Sequence, residues 1–295
     1  MISPHSASTF GWKTVLADAA NAGKDAILSQ YDSKARNEIV GRGVGGDLTL
    51  RIDEASEKAI HDSLNRSLGE DTYLFVSEEI GEVSTDDKES SRPIVICDPL
   101  DGSHNAEVGL PLFSISLSVL GVRKKMKQGD KRCFGDVDFG YILSVPTSDF
   151  YFAEKSKGSF HNDKRIVLSK DASHDRIRTL LIECSDMDYL RSITAKLSTS
   201  FVSKTRLLGS AAISYCLLAD GSADAFIFAQ PGGARTIDSP AGYLIAKESG
   251  CVFEDFLGKA QNIDEVEVGF HSRISLIGAS NEELLRFLAS KVRSS

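Results

Sequence analysis

Two aspartates three residues apart are the side chains of this chain best suited to chemistry. Asp98 and Asp101 follow the apolar run 94–97 and stand in a turn that contains proline, Gly102 and Ser103. Because proline fixes a backbone dihedral and glycine permits a tight bend, the two carboxylates are expected close together on a stiff platform. Two such anions repel, and a hard cation relieves the repulsion. A helix that opens after Ser103 would offer N–H groups to a phosphate oxygen, so the segment predicts adjoining metal and phosphate sites.

Further acidic residues stand near strand or helix ends. Glu78 and Glu79 follow a strand-like run. Since neighbouring side chains of a strand point to opposite faces, we expect only one of the two to join the same site directly. We choose Glu78 for that role and expect Glu79 to orient a ligand or the loop. Asp47 follows the glycine-rich segment 41–46 and is expected to reach a metal-bound water. A solvated loop is the alternative for the two glutamates. A helix N-cap is the alternative for Asp238.

Composition limits the class of protein and its partners. The net charge of −8 and the pI near 5.3 argue against a general nucleic-acid binder. The five cysteines are scattered without Cys-x-x-Cys spacing, as in a protein of a reducing compartment. The N-terminus has no signal-peptide pattern, and no apolar run reaches the ~20 residues that a membrane span needs. We therefore expect a soluble, cytoplasmic protein with neither a membrane segment nor a nucleic-acid partner.

The hydrophobic pattern indicates an α+β protein, with α/β as the second choice, and a seam near residue 150. An N-terminal α+β part, 1–150, would carry the metal-binding motifs, and a C-terminal α/β part, 151–295, the substrate-side loop and the last aspartate. Asp53 is interpreted as the N-cap of a helix that ends near Leu68. The other predicted helices are 9–31, 187–197, 210–218, 239–249 and 281–292. The predicted strands are 72–77, 94–97, 113–122, 134–145, 150–152, 179–184, 201–205, 225–228, 251–253 and 274–277.

The acidic motifs together resemble the inositol monophosphatase superfamily, which also contains fructose-1,6-bisphosphatases and bisphosphate nucleotidases. The likeness is carried by Asp98-Pro-Leu-Asp101-Gly-Ser103, by Glu78-Glu79 upstream and by Asp238 downstream, and spans about 46–250. The segment 40–49 is similar to archaeal-type members, several of which act on inositol phosphates and on fructose 1,6-bisphosphate. The resemblance implies a layered α/β/α/β/α sandwich, a homodimer, and a Mg²⁺-dependent, often Li⁺-sensitive phosphomonoesterase whose substrate is a small phosphorylated polyol or sugar.

The same resemblance implies the metal ligands. Glu78, Asp98 and the Leu100 carbonyl would hold one Mg²⁺. Asp98, Asp101 and Asp238 would hold a second, and Glu78 a third through waters. Because the donors are all oxygen, Mg²⁺ is favoured over zinc, with Mn²⁺ as a substitute.

The resemblance also implies the catalytic and substrate-binding residues. Asp47 and the Ser103 hydroxyl would polarise the attacking water, with Glu78 as the third catalytic residue. The remaining implied residues would bind substrate together with Ser103: Asp101, Gly102, Arg206, Gly209 and Ser210.

Three features depart from the family pattern, and the last of them concerns substrate choice. Ser103 stands where Thr is usual, Ile237 stands where many relatives have Trp, and the segment 228–235 lacks a glutamate that contacts ring hydroxyls in animal inositol enzymes. Arg206 or Arg235 would face a second phosphate, or else serve as a surface or ion-pair residue. Inositol 1-phosphate is the first expected substrate, fructose 1,6-bisphosphate the second and a 3′,5′-bisphosphate nucleotide the third. The alternative from a different class of function is a non-catalytic regulatory homologue.

Two other motifs have simpler explanations. The glycines at 41–46 match a dinucleotide-binding pattern, but no apolar helix follows them, so a mobile loop that delivers Asp47 is favoured. Asp136 and Asp138 resemble a phosphatase Asp-x-Asp pair, but they follow a basic loop, so charges beside a hairpin are favoured.

Overall fold

The computed structural model describes residues 9–31, 34–43, 48–83, 92–124, 130–168 and 176–293. Asp47 and Gly46 therefore lie outside the described residues, together with the functional prediction made for Asp47. The α-helices are α1 (Thr9–Tyr31), α2 (Arg51–Leu68), α3 (Ser103–Val108), α4 (Met187–Thr194), α5 (Ala211–Ala219), α6 (Pro240–Ser249) and α7 (Glu282–Arg293).

The N-terminal part of the chain forms a hairpin and a large sheet. Strands β1 (Ile39–Arg42) and β2 (Leu48–Leu50) make the antiparallel hairpin. The large sheet contains β3 (Leu74–Ser77), β4 (Gly81–Val83), β5 (Ile94–Asp101), β6 (Ser114–Leu120), β7 (Val137–Ser144), β8 (Phe150–Glu154), β9 (Gly158–His161) and β10 (Lys164–Arg165). Its spatial order is β10-β9-β8-β7-β6-β5-β3-β4, and β3 and β5 are its parallel neighbours.

The C-terminal part forms a second sheet and a two-stranded ladder. These strands are β11 (Ile177–Glu183), β12 (Val202–Arg206), β13 (Ala225–Phe228), β14 (Ala234–Arg235), β15 (Val252–Asp255), β16 (Arg273–Ile274) and β17 (Leu276–Ala279). The sheet has the order β12-β11-β13-β17-β15, and β14 pairs with β16. The strands β12, β11 and β13 run parallel, whereas β17 is antiparallel to both of its neighbours.

Three hydrophobic clusters show how the layers stack. Helices α1 and α2 cover one face of the first sheet, where Trp12 and Leu64 share a cluster with Val95. Helices α5 and α6 lie between the sheets in a cluster that includes Ile96. Helices α4 and α7 cover the outer face of the second sheet, around Ile182. Val95 and Ile96 enter different clusters because strand side chains alternate, and both faces of each sheet are buried. The layered α/β/α/β/α sandwich is thus confirmed.

Some element boundaries differ from the sequence-based ones. Helix α2 begins at Arg51, so Asp53 lies within the first turn and is not the N-cap; its Oδ2 instead accepts a 2.8 Å hydrogen bond from the Leu50 N–H. Strands β8 to β10, residues 150–165, belong to the first sheet, beyond the boundary placed at 150. The division into 1–150 and 151–295 as domains stays a prediction.

Candidate active site

Most of the predicted site residues line one cavity of about 240 Å³. They come from the ends of β3 and β5 and from the turn before α6: Glu78, Asp98, Leu100, Asp101, Gly102, Ser103 and Asp238. The cavity therefore draws its wall from both the N-terminal and the C-terminal part of the chain.

The parallel pairing of β3 and β5 brings Glu78 to Asp98. Ser77 pairs with Cys97, and the Glu78 N–H donates to the Cys97 carbonyl at 3.3 Å, so the next residues on both strands emerge side by side. The register of β5 against β6 shifts between Asp98 and Asp101. Such an irregularity redirects side chains, and here both aspartates reach the same cavity.

Glu79 anchors the neighbouring hairpin. Its carboxylate accepts a hydrogen bond from the Thr49 hydroxyl on β2. A Cβ on Gly43 would lie 2.6 Å from Glu79 Oε2, so the end of β1 also approaches this glutamate closely. Glu79 lines the cavity as well as Glu78, contrary to the expectation that only one of them would reach it, and its contacts with the hairpin agree with a role in orienting the loop.

Gly102 shapes the turn between Asp101 and Ser103. Its φ is +84°, and an added Cβ would meet the Leu112 carbonyl oxygen at 2.8 Å. L side chains rarely adopt this left-handed conformation, which explains glycine here. Ser103 is the first residue of α3 and lines the cavity.

Asp101 connects the β5 turn to the start of α5. Its carboxylate accepts hydrogen bonds from the Ser210 hydroxyl, from the Ala211 N–H at 3.1 Å and from the Ala212 N–H at 3.2 Å. The first N–H groups of a helix have no partner within it, so a carboxylate is favoured there. The Ser210 hydroxyl thus contacts the protein's own carboxylate, and its predicted contact with substrate stays a prediction.

Asp238 forms an ion pair and does not cap a helix. The N-cap of α6 is Ser239, so the N-cap alternative for Asp238 is wrong. Arg235 Nε lies 3.1 Å from Asp238 Oδ2, and Arg235 Nη2 contacts Glu78 Oε1. The guanidinium therefore bridges a carboxylate from each half of the chain.

The acidic side chains raise one another's pKa. Burial is the largest cause for Asp98, whose pKa is raised well above its usual range, and the neighbouring charges of Glu78, Asp101 and Asp238 add to the effect. Burial and Asp238 also raise the pKa of Glu78, whereas Arg235 opposes that rise. Nearby positive charge would stabilise the ionised carboxylates.

The donor chemistry of this cavity fits a hard divalent cation, although the geometry is not that of an assembled metal site. Among the described residues, no three His, Cys, Asp or Glu side chains converge to hold a metal ion. The contacts explain this, because Glu78 and Asp238 bind the Arg235 guanidinium and Asp101 accepts bonds from the start of α5. The Arg235 guanidinium, which is itself a cation, nevertheless bridges two of the predicted ligands, Glu78 and Asp238. All the predicted donors are oxygens, as Mg²⁺ prefers.

Arg206 lies apart from these residues. Its side chain is exposed, and its Nη1 donates to the Thr205 carbonyl at 2.9 Å. It is not among the described residues that line the cavity, whereas Arg235 is. Its predicted contact with substrate stays a prediction.

Three acidic residues near the site were missed from the sequence. Asp53 lines the cavity, and burial raises its pKa to about 8. Glu57 Oε1 accepts from the Ile80 N–H at 3.3 Å and so holds the turn after Glu78. Glu183 accepts bonds from the Leu208 and Gly209 N–H groups and, at 2.6 Å, from the Ser214 hydroxyl. The sequence pattern that could have identified them is an acidic residue on the apolar face of a helix, or at the end of an apolar strand.

Comparison with known proteins decides the family. The model of the inositol monophosphatase family matches residues 12–295. The chain belongs to the inositol monophosphatase family. A fructose-1,6-bisphosphatase/inositol-1-monophosphatase of Thermococcus kodakarensis is 28% identical over 96% of this chain and 98% of its own length. A protein of the same description from Archaeoglobus fulgidus is 31% identical over 87% of this chain and 88% of its own.

A solved structure supports the fold independently. The extragenic suppressor protein suhB of Bartonella henselae superposes with a TM-score of 0.76 at 22% identity, covering 96% of this chain and 99% of its own. Membership of the inositol monophosphatase family makes the protein a phosphoric monoester hydrolase of a generally metal-dependent kind. Within the described residues, no helix is long and apolar enough to cross a membrane.

Proposed function

We propose that the protein is a Mg²⁺-dependent phosphomonoesterase that hydrolyses inositol 1-phosphate to inositol and phosphate. The observation that carries this proposal is the convergence of Glu78, Asp98, Asp101, Asp238 and Ser103 on one cavity. Glu78, Asp98, Asp101, Asp238 and the Leu100 carbonyl would hold two to three ions, with Mn²⁺ as a substitute. Bound Mg²⁺ would lower the pKa of a water and neutralise charge on the transferring phosphoryl group.

The chain's own groups would orient the reactants. The Ser103 hydroxyl would hold the attacking water, and Asp47 would accept a hydrogen bond from it. The Gly102 and Ser103 N–H groups would bind phosphate oxygens at the first turn of α3, where backbone donors are unpaired by the helix. No covalent phosphoenzyme is needed, since water attacks directly.

Fructose 1,6-bisphosphate is the second candidate substrate. The descriptions of the Thermococcus and Archaeoglobus relatives combine both activities. Arg235 also lines a second, adjoining cavity of about 520 Å³, and is therefore better placed than Arg206 to meet a second phosphate. A homodimer and a cytoplasmic location remain part of the proposal.

Phosphate release from each ester tests the proposal. With Mg²⁺ present, we expect turnover of inositol 1-phosphate by the unaltered protein. Replacing a metal ligand should remove several kcal/mol of transition-state stabilisation, so Asp98→Asn should lower kcat/KM by roughly 10³-fold or more. Asp188→Asn is the matched control, because Asp188 is exposed on α4 and does not line the cavity. Undiminished turnover by Asp98→Asn would refute the assignment and favour a non-catalytic homologue.

A further inference from the structure

Arg235 occupies an unusual position for a basic residue in a site that is expected to bind cations. Its guanidinium contacts Glu78 Oε1 through Nη2 and lies 3.1 Å from Asp238 Oδ2 through Nε. The side chains of all three residues are only 16–17% exposed. A guanidinium and a metal ion cannot both lie between the same carboxylates.

The guanidinium supplies positive charge to both of these carboxylates. Asp98, Asp101 and Glu79 line the same cavity as Glu78 and Asp238, so the ion-paired carboxylates have further acidic side chains around them. A planar guanidinium is well suited to bridge two carboxylates, because its donors point outward in a fixed fork. Its attraction to both carboxylates must be overcome by any ion that binds there.

We propose that Arg235 is an internal counter-ion of the metal site: it holds Glu78 and Asp238 together, and a divalent cation binds these carboxylates by displacing the guanidinium. This inference rests on the proposed function, since it assumes that the site takes Mg²⁺. The two cavities share Arg235 as a wall residue, so the side chain has a place to move. The second cavity offers the Gln230 side chain and Ser185 as polar neighbours for the displaced guanidinium.

Chemical modification of Arg235 tests the displacement directly. The full chain, treated with a chelator, is exposed to phenylglyoxal with and without Mg²⁺, and adducts are measured peptide by peptide by mass spectrometry. We expect Mg²⁺ to increase modification of Arg235 about tenfold, since an enclosed, ion-paired guanidinium becomes accessible. Arg191, exposed on α4, is the internal reference and should react equally in both samples. Equal protection of Arg235 in the two samples would overturn the proposal.

Calorimetry on variants gives a second, independent test. Removing a competing ion pair should make Arg235→Gln bind Mg²⁺ about tenfold more tightly, while Arg235→Lys, which keeps the charge, should change affinity less. Arg191→Gln removes the same charge elsewhere and should leave the affinity unchanged. Weaker Mg²⁺ binding by Arg235→Gln would overturn the inference.

The two proposals fail in different ways. If the unaltered protein shows no heat of Mg²⁺ binding, then the metal requirement of the proposed function fails, and the exchange fails with it. If Mg²⁺ binds but Arg235 stays protected and the affinity of Arg235→Gln is unchanged, only the exchange fails.

Discussion

Gly102 allows the backbone to turn sharply between Asp101, at the end of β5, and Ser103, at the start of α3. The turn needs a positive φ, and the space beside it is filled by the Leu112 carbonyl oxygen. A side chain at this position would therefore introduce both backbone strain and a steric clash. The aspartates and the hydroxyl depend on one backbone conformation.

Replacement of Gly102 by alanine tests this dependence. We expect Gly102→Ala to lower the free energy of unfolding by about 1–3 kcal/mol, because it forces a left-handed conformation on a residue with a Cβ. Gly41→Ala is the matched control, since a Cβ there meets nothing within 4 Å. Urea denaturation measures both variants. Equal effects at the two glycines would contradict the argument.

At the scale of elements, Glu183 holds the start of α5 against the end of β11. It accepts bonds from the Leu208 and Gly209 N–H groups and from the Ser214 hydroxyl, and Asp101 approaches the same helix end from the other side. Burial is the main reason that the pKa of Glu183 rises to about 7, despite these hydrogen bonds. Two acidic residues thus hold the loop that the sequence assigns to substrate binding.

The raised pKa of Glu183 predicts a pH-dependent stability. Because it is about 7 in the folded protein against an ordinary 4.5, the folded state binds more protons between these values, and stability falls as pH rises through this window. Relative to Glu183→Gln, the unaltered protein should lose about 3 kcal/mol of unfolding free energy across this pH window. Unfolding free energies measured from pH 4.5 to pH 8 report the difference. Glu70→Gln alters an exposed residue and should leave the pH dependence of the unfolding free energy unchanged. If Glu183→Gln showed the same pH dependence as the unaltered protein, the assignment to Glu183 would be refuted.

At the scale of the whole molecule, the acidic cavity joins the two sheets. Glu78 follows β3 and Asp98 lies on β5, both in the first sheet, whereas Asp238 stands just before α6, which packs between the layers. Ion binding among these carboxylates would therefore stabilise the contact between the two parts of the chain. An unfolded chain would keep few of these carboxylates together.

Mg²⁺ should accordingly raise the melting temperature. At one hundred times the dissociation constant, binding to the folded form alone adds about 2.7 kcal/mol to its stability. The measurement is thermal unfolding in chelator and in millimolar Mg²⁺, with Na⁺ matched for ionic strength. Asp98→Asn should lose most of the Mg²⁺-dependent shift. A melting temperature insensitive to Mg²⁺ would count against a shared metal site.

Much of the fold and of the candidate site could be predicted from local patterns in the sequence. The apolar run 94–97 predicted strand β5, which the structure buries on both faces, whereas side-chain alternation did not separate Glu78 from Glu79, since both line the cavity. The turn at Gly102 followed from the conformational freedom of glycine alone. The longer helices and strands followed from hydrophobic period, with errors of a few residues at their ends, as for the start of α2. The short strands β1, β2, β4, β9, β10 and β14 were not predicted.

Long-range contacts decided the rest, because they depend on how distant segments pack. Asp98 and Asp101 were recognisable as an acidic pair, but their neighbours come from far along the chain. Ser210 reaches Asp101 across 109 residues, and Arg235 reaches Glu78 across 157. No local pattern determines which basic side chain enters an acidic cavity, since that follows from the docking of one sheet on the other. The sequence determined the carboxylates and their chemistry; only the tertiary structure placed a guanidinium between two of them.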